Sequence, residues 1–302
     1  MSLPDAYSMH RFLDSKRTVD DRALNKDVYR RLRSELEERG AFSEVLEVGA
    51  GLGNMIARMV EWGLLTKARY TLLDLDTQLL SDSRTWLADW ATEQGYAVNQ
   101  EETLRIVGES LELQVSFVGA DLRDYLKQAQ SIRADLLIAN AFLDLVDLKS
   151  LLPDLLGLVK KGGLCWFTIN FDGETIFEPA HPQDDELLAV YHQSMDERTF
   201  RGQPAGDSRT GRRLFAAMPK AGARILSAGS SDWVVFPDGG SYPHKEAYFL
   251  YHILHTIDQE LQKHSSVDQE TLKSWVQERQ RQVEQGELVY IAHQIDLLSS
   301  VG

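Results

Sequence analysis

Apolar residues recur at every fourth position near the start of the chain. Between Asp21 and Gly40 these residues are Leu24, Val28, Leu32 and Leu36. This spacing places them on one face of a helix, and glycine commonly follows the last helical residue. We therefore predict an amphipathic helix over this segment.

Beyond residue 40, short apolar runs alternate with longer helical patterns. The predicted strands are SEVLEVG, ARYTLLDLD, LELQVSFVGAD, ADLLIAN and LCWFTIN, in that order. Helices are predicted between them at NMIARMVEWGLL, at residues 77–94 and at residues 148–159. Strands this apolar, separated by helices, indicate a parallel sheet covered on both faces. Right-handed crossovers make such a sheet doubly wound, so the predicted fold class is α/β.

The later part of the chain departs from this alternation. Residues 171–207 are polar and rich in turn-forming residues. A helix near residues 208–220 is followed by the predicted strands ARILSAGSS and DWVVF. Two helices are predicted within residues 244–285, and GELVYIAHQID is predicted to form the closing strand.

Charge and composition narrow the classes of function. The 302 residues carry a formal net charge of −14, which disfavours non-specific binding to nucleic acid or to anionic membranes. No apolar window approaches the roughly 18 residues of a membrane span, and no signal peptide is recognised. We therefore expect a cytoplasmic protein. The single cysteine, Cys165, excludes an internal disulfide and a cysteine-rich zinc site.

A glycine cluster follows the first predicted strand. The stretch LEVGAGLGNM contains Gly49, Gly51 and Gly53. Glycines there let backbone N–H groups approach a ligand, and the helix behind adds the positive end of its dipole. The dinucleotide-binding spacing is G-x-G-x-x-G, whereas Asn54 stands here in place of the last glycine. The turn predicts a ligand site, with a purely structural turn as the alternative.

Acidic residues end the next two strands. Asp74 lies about 20 residues beyond the turn, where a carboxylate can accept both hydroxyls of a ribose. Asp121 ends the third strand, where it can accept from an exocyclic amine such as that of adenine. Either acid could instead only cap the following helix. Because all three features lie at carboxyl ends of neighbouring strands, they predict one binding site there.

At these positions the chain resembles the class I S-adenosylmethionine-dependent methyltransferases. LEVGAGLGN is similar to their first motif, with Glu47 as its acid. Asp74 matches their ribose-binding acid, Asp121 with Leu122 matches the adenine-side acid, and ADLLIANAFLDLVD is similar to their fourth-strand motif. The resemblance covers about residues 41–170. It implies S-adenosyl-L-methionine as the cofactor and does not specify the methyl acceptor.

The resemblance also implies a particular sheet. The expected sheet is seven-stranded and mostly parallel, in the order 3-2-1-4-5-7-6 with the last strand antiparallel. An N-terminal helical segment, 1–40, would precede a Rossmann-like domain, 41–302, which carries insertions at 171–207 and 236–286. We call these two insertions the roof, because both are expected to emerge over the active site as a lid.

Candidate catalytic residues follow from the same arrangement. Asn140 is expected beside the methionine end of the cofactor, with Asp144 just beyond it. In-line methyl transfer depends mainly on alignment, and it needs a general base only if the nucleophile begins protonated. His181, flanked by two prolines, is the first candidate base and His192 the second. A surface role is the alternative for these histidines.

Two further features complete the site prediction. Lys16, Arg17 and Arg22 precede the first predicted helix, and Arg17 is the candidate partner of the cofactor carboxylate. Solubilising charges are the alternative. The acids around His181 match no familiar metal-site spacing, so no metal is predicted.

The sequence therefore predicts a methyltransferase that acts on an oxygen or nitrogen nucleophile of a small molecule. The expected form is a monomer or homodimer with no nucleic-acid or membrane partner. The alternatives are a non-catalytic cofactor-binding protein, a protein-modifying methyltransferase and a nicotinamide-dependent oxidoreductase. The missing last glycine and Asp121 count against the oxidoreductase.

Overall fold

A computed structural model describes residues 4–128 and 133–302. Its N-terminal helices are α1 (Met9–Ser15), α2 (Arg17–Ala23) and α3 (Lys26–Arg39). The predicted start at Asp21 was therefore wrong. Asn25 breaks the helical pattern, because its side-chain oxygen accepts from the N–H groups of Asp27 and Val28 and so begins a new helix. The end at Gly40 is as predicted, with φ +88°.

The remaining helices lie between and beyond the strands. They are α4 (Asn54–Glu61), α5 (Thr77–Glu93), α6 (Leu122–Gln128), α7 (Leu148–Gly157), α8 (Asp184–Glu197), α9 (Thr210–Lys220), α10 (Glu246–Leu261) and α11 (Gln269–Gln285). Within the described residues, none of these helices has the length and apolar character needed to cross a membrane.

In the part of the chain that the structure describes, ten strands form the main sheet. The strands of the chain are β1 (Glu44–Val48), β2 (Lys67–Asp74), β3 (Ala97–Gln100), β4 (Leu104–Val107), β5 (Glu112–Gly119), β6 (Ala134–Asn140), β7 (Val159–Glu178), β8 (Thr199–Phe200), β9 (Gln203–Pro204), β10 (Ala223–Ser230), β11 (Trp233–Val235) and β12 (Val289–Val301). Strands β8 and β9 form a separate hairpin.

The order of the main sheet is β10-β12-β7-β6-β1-β2-β5-β4-β3, with β11 paired to β12. Strands β5, β2, β1, β6 and β7 are parallel, and β12 is antiparallel to both of its neighbours β7 and β10. This confirms the doubly wound α/β fold and the predicted order of its seven core strands.

The sheet is larger than the predicted seven strands. The hairpin β3–β4 extends one edge, and β11 adds a short strand beside β12. The hairpin escaped prediction because each strand has only four residues, and only Leu104 and Ile106 of the pair are buried. Two buried positions are too few to show a strand period in the sequence.

Apolar cores cover both faces of the sheet. Trp166 and Phe167 are adjacent in β7, and they enter the two opposite cores. Helices α3, α4 and α5 pack on the Trp166 face, whereas α7 and α9 pack on the Phe167 face. A third core joins α8, α10 and α11.

Strand β7 runs much farther than predicted. It was expected to end at Asn170, but it continues to Glu178, where it pairs with Val289 of β12. Residues 171–207 were expected to form a polar, turn-rich insertion after the strand; instead the strand continues through a bulge, with Gly173 at φ +86°. The extended part of β7 packs in the same apolar core as the roof helices.

Candidate active site

A cavity of about 750 Å³ lies at the carboxyl ends of the parallel strands. Its walls come from the sheet, from α1 and α2, and from both insertions of the roof. The cavity brings together eight of the predicted site residues: Glu47, Gly49, Gly51, Asp74, Asp121, Leu122, Asn140 and Asp144. Four others do not line it: Arg17, Gly53, His181 and His192.

The glycine turn is closely covered by other parts of the chain. A Cβ atom at Gly49 would lie 2.1 Å from Cδ2 of Phe142, and one at Gly51 would lie 2.9 Å from Cδ1 of Leu13 in α1. Gly53 is the N-cap of α4 in a left-handed conformation. The turn therefore needs glycine both for its backbone shape and for the close approach of its neighbours.

Asp74 holds the backbone of two loops beside the cavity. Its Oδ2 accepts from the N–H of Gly51 at 2.8 Å, and its Oδ1 accepts from the N–H of Asp76 at 3.0 Å. The N-cap of α5 is Asp76, which accepts from Leu79. Asp74 is therefore not the helix cap, and each of its oxygens has a further lone pair for a ligand hydroxyl.

Asp121 does make a capping interaction. Its Oδ1 accepts from the N–H of Arg123 in the first turn of α6, at 2.8 Å. Its Oδ2 lies 3.3 Å from Nη1 of Arg201, which belongs to the β8–β9 hairpin. Asp121 thus lines the cavity and connects the sheet edge to the roof.

Glu47 is a buried acid in the cavity wall, with 2% of its surface exposed. The Tyr70 hydroxyl donates to its Oε2 at 2.7 Å. Burial raises the pKa of Glu47 to about 8, although the Tyr70 hydrogen bond and the positive charge of Arg58 oppose this rise. A cationic group bound in the cavity would favour the ionised form.

Strained backbone surrounds Asn140 at the end of β6. Ala141 and Ile169 both line the cavity and have positive φ angles, +51° and +56°. The N–H of Ile169 donates to the buried carboxylate of Asp296 at 2.7 Å. The Thr168 hydroxyl donates to Oδ1 of Asn140 at 2.8 Å. Such conformations at non-glycine residues cluster at functional sites.

Asp144 lies in one turn of 3₁₀ helix, Leu143–Leu145, at the cavity wall. Although the residue as a whole is partly exposed, its Oδ1 atom is buried and has no hydrogen-bond partner in the described part of the chain. Burial raises the pKa of Asp144 to about 6, and the positive charges of Arg198 and Lys16 limit the rise. A carboxyl group with this pKa can accept a proton near neutral pH.

The cation that the N-terminal segment places in the cavity is Lys16. Its Nζ lies 2.8 Å from Oδ2 of Asp20, and both side chains are buried. Asp20 also accepts from Nε1 of Trp233 at 2.9 Å. The predicted residue, Arg17, instead pairs with Glu61 at 2.9 Å, outside the cavity.

The structure does not bring His181 to the cavity. Its N–H donates to Asp184 at the start of α8, and its Nδ1 accepts from the N–H of Gln183 at 3.4 Å. Asp184 in turn pairs with the buried Arg279 of α11 at 2.5 Å. His181 therefore belongs to a junction between two roof helices.

His192 lies directly behind the cavity wall. Its Nε2 is 3.0 Å from Oγ1 of Thr175, which lines the cavity. Burial lowers the pKa of His192. His192 therefore contacts the site through Thr175.

Several lining residues were missed from the sequence: Arg198, Tyr191, Tyr290, His252 and Gln294. Tyr191 adjoins the predicted His192, and the long connection containing Arg198 was assigned to the roof. Nothing in their local pattern distinguishes these residues from core or surface positions. Among the described residues, no three His, Cys, Asp or Glu side chains are grouped so that they could hold a metal ion.

Comparison with known proteins gives structural likeness only. No family model and no curated protein matches the chain. Geranyl diphosphate C-methyltransferase from Streptomyces coelicolor A3(2) has a TM-score of 0.43 and 10% identity over 90% of this chain and 79% of that one. An O-methyltransferase family protein from Burkholderia thailandensis has a TM-score of 0.43 and 15% identity over 72% and 53%. At these values the likeness does not identify a function.

Proposed function

We propose that the chain is an S-adenosylmethionine-dependent methyltransferase whose acceptor is an oxygen or nitrogen nucleophile of a small molecule. The observation that carries this proposal is the shared cavity. The glycine turn, Glu47 and Asp74 lie at the same cavity as Asn140 and Asp144. The residues proposed to bind the nucleoside and the carboxyl group proposed to accept a proton therefore line the same cavity.

The residues present fit this cofactor. Asp74 has lone pairs free for ribose hydroxyls, and Asp121 lines the cavity, where it would accept from the adenine amine. Glu47 offers a buried acid to the amino group of the methionine part. The ammonium of Lys16, which pairs with Asp20, has further N–H donors for its carboxylate. Each polar group of the cofactor thus has a partner of opposite character.

S-adenosylmethionine, when bound, supplies a methyl group on a sulfonium that can be displaced in line. The protein contributes alignment and a site that excludes water. Asn140 is fixed at the end of β6 by Thr168. Asp144 accepts the proton that the acceptor loses, and its pKa of about 6 suits that role near neutral pH. We propose that Asp144, rather than His181, is the general base.

Ligand binding tests the proposal most directly. S-adenosylmethionine and S-adenosylhomocysteine should each raise the melting temperature of the protein, whereas NAD should not. Labelled methyl groups should then be transferred to a component of a small-molecule extract. Stabilisation by NAD and not by S-adenosylmethionine would overturn the proposal. Cofactor binding without transfer to any extract would favour the non-catalytic alternative.

A further inference from the structure

One positive charge in the cavity has no partner among residues 4–128 and 133–302. The lining cations are Lys16, Arg123 and Arg198. Lys16 is paired with Asp20 at 2.8 Å, and Nη2 of Arg123 donates to the Pro204 carbonyl at 3.2 Å. Within the described residues, the guanidinium of Arg198 makes no hydrogen bond or ion pair. Its charge is available to a ligand.

Arg198, Asp144 and Tyr191 face a common space. The positive charge of Arg198 opposes the burial that raises the pKa of both Asp144 and Tyr191. Arg198 and Asp144 nevertheless form no ion pair within 4.0 Å. A ligand that offers an anion to Arg198 and a proton donor to Asp144 can therefore lie between them.

The rest of this end of the cavity is mainly apolar. The aromatic side chains Phe171, Tyr191, Trp233 and Tyr290 line it together with Ile253. Large apolar side chains are also exposed among the lining residues near Arg198 and Asp144, namely Phe200 at 38% and Leu145 at 45%. Gln294 also lines the cavity, and its Oε1 atom is buried without a hydrogen-bond partner among the described residues. Such walls favour a ligand with an apolar or aromatic body and few polar groups.

We propose that the methyl acceptor is a hydroxy acid with an aromatic or apolar body, whose anionic group binds Arg198 and whose hydroxyl group faces Asp144. This inference rests on the proposed methyltransferase function. A cationic amine would be repelled by Arg198, and a neutral apolar acceptor would leave its charge unpaired in an apolar chamber.

The methyl transfer requires only the cofactor, the acceptor and Asp144. The acceptor oxygen forms a bond to the methyl carbon, and the methyl–sulfur bond breaks with its electron pair on sulfur. The hydroxyl proton passes to the carboxylate of Asp144. Arg198 touches only the distant anionic group, so it determines which acceptors bind.

Calorimetry on the protein saturated with S-adenosylhomocysteine tests the acceptor class. The probes are 2-, 3- and 4-hydroxybenzoate, each compared with its neutral hydroxybenzamide. At least one acid should bind about ten-fold more tightly than its amide, since one charge-assisted contact has that value. Arg198→Gln should remove this preference, and Arg198→Lys should retain part of it.

Arg209→Gln is the matched control, because Arg209 is an exposed arginine just after the first roof insertion and does not line the cavity. It should keep the preference for the acid. The acceptor class is overturned if no acid exceeds its amide, or if Arg198→Gln weakens acid and amide equally. S-adenosylhomocysteine affinity separates the two proposals. If the unmodified protein does not bind it, the methyltransferase function fails; if it binds and the acids show no preference, only the acceptor class fails.

Discussion

Tyr70 donates a hydrogen bond of 2.7 Å from its hydroxyl to Oε2 of Glu47 in the cavity wall. Because burial raises the pKa of Glu47 to about 8, this acid is mainly protonated at pH 7 before a ligand binds. A cationic amino group beside it should cause ionisation. We expect S-adenosylmethionine binding at pH 7 to release up to one proton, measured by calorimetry in buffers of different ionisation enthalpy.

Two controls isolate this proton. Glu47→Gln should bind without the release, because the amide does not titrate. Methylthioadenosine lacks the amino acid part of the cofactor. It should therefore bind the unmodified protein without releasing a proton. An equal release with methylthioadenosine would show that another group titrates.

The same raised pKa affects the stability of the unliganded protein. Glu47 binds a proton more tightly in the folded state, with a pKa of about 8 against 4.5 for the ordinary group. Its contribution to the free energy of unfolding is therefore full below pH 4.5 and is lost as the pH rises to about 8. In urea unfolding, the free energy of unfolding should fall less across this pH interval for Glu47→Gln than for the unmodified protein. An unchanged pH profile would contradict the assigned pKa.

Gly51→Ala should weaken cofactor binding. The new Cβ would lie 2.9 Å from Cδ1 of Leu13, so the Leu13 side chain of α1 must shift beside the turn that lines the cavity. Gly63→Ala is a matched control, because Gly63 has a similar φ of +67° and open space around its Cβ position. Both variants should lose about 1–2 kcal/mol of stability from backbone strain, but only Gly51→Ala should lose affinity in calorimetry. Equal affinities would mean that α1 does not shape the site.

Asp74→Ala should weaken S-adenosylmethionine binding by about ten- to hundred-fold, the value of charge-assisted hydrogen bonds to hydroxyl groups. Asp268→Ala is the control, since Asp268 is an aspartate that caps α11 by accepting from Thr271 at 2.8 Å. The control should lose about 1 kcal/mol of stability and no affinity. If Asp74→Ala behaves in the same way, Asp74 only holds the backbone of its loops.

Asp144→Asn should reduce turnover by about 10²–10⁴-fold with little change in cofactor affinity. In the unmodified enzyme, kcat/KM should rise with pH through about 6, as Asp144 loses its proton and becomes able to act as a base. His181→Ala should have a much smaller effect, because His181 lies outside the cavity. If His181→Ala lost most of its turnover and Asp144→Asn kept its turnover, His181 and not Asp144 would be the general base.

Helix α1 should become protected from hydrogen exchange when S-adenosylhomocysteine binds. Leu13 of α1 covers Gly51, and the Asn54 amide donates to the Leu13 carbonyl at 3.3 Å. The Phe12 ring stacks on His252 of α10 at 4.2 Å. Helix α9, on the opposite sheet face, serves as the internal reference. Equal exchange of α1 with and without ligand would contradict a closing role.

The cofactor side of the site was predictable because it follows from strand ends. A parallel sheet places the carboxyl ends of β1, β2, β5 and β6 at one edge, so Glu47, Asp74, Asp121 and Asn140 could be grouped from their positions alone. No tertiary contact had to be known. The pattern that identified each strand also located the residue that lines the cavity at its end.

The acceptor side depends on contacts that sequence patterns do not contain. Lys16 and Arg17 are adjacent and chemically alike, and only the packing of α1 and α2 decides that Lys16 enters the cavity. His181 was favoured because prolines flank it, but its position is set by Asp184 and Arg279, 95 residues apart in sequence. Arg198 is identified only once the roof is folded.

Strands β7 and β12 remain paired from the doubly wound sheet to the roof, with the bulge at Gly173 between the two parts. The helices α8, α10 and α11 therefore pack on the same two strands, β7 and β12, that belong to the doubly wound sheet. Separating roof from sheet would break hydrogen bonds along a shared ladder, so the two parts should melt together in one cooperative transition. A calorimetric scan should show one peak, and a fragment cut after residue 170 should fail to fold.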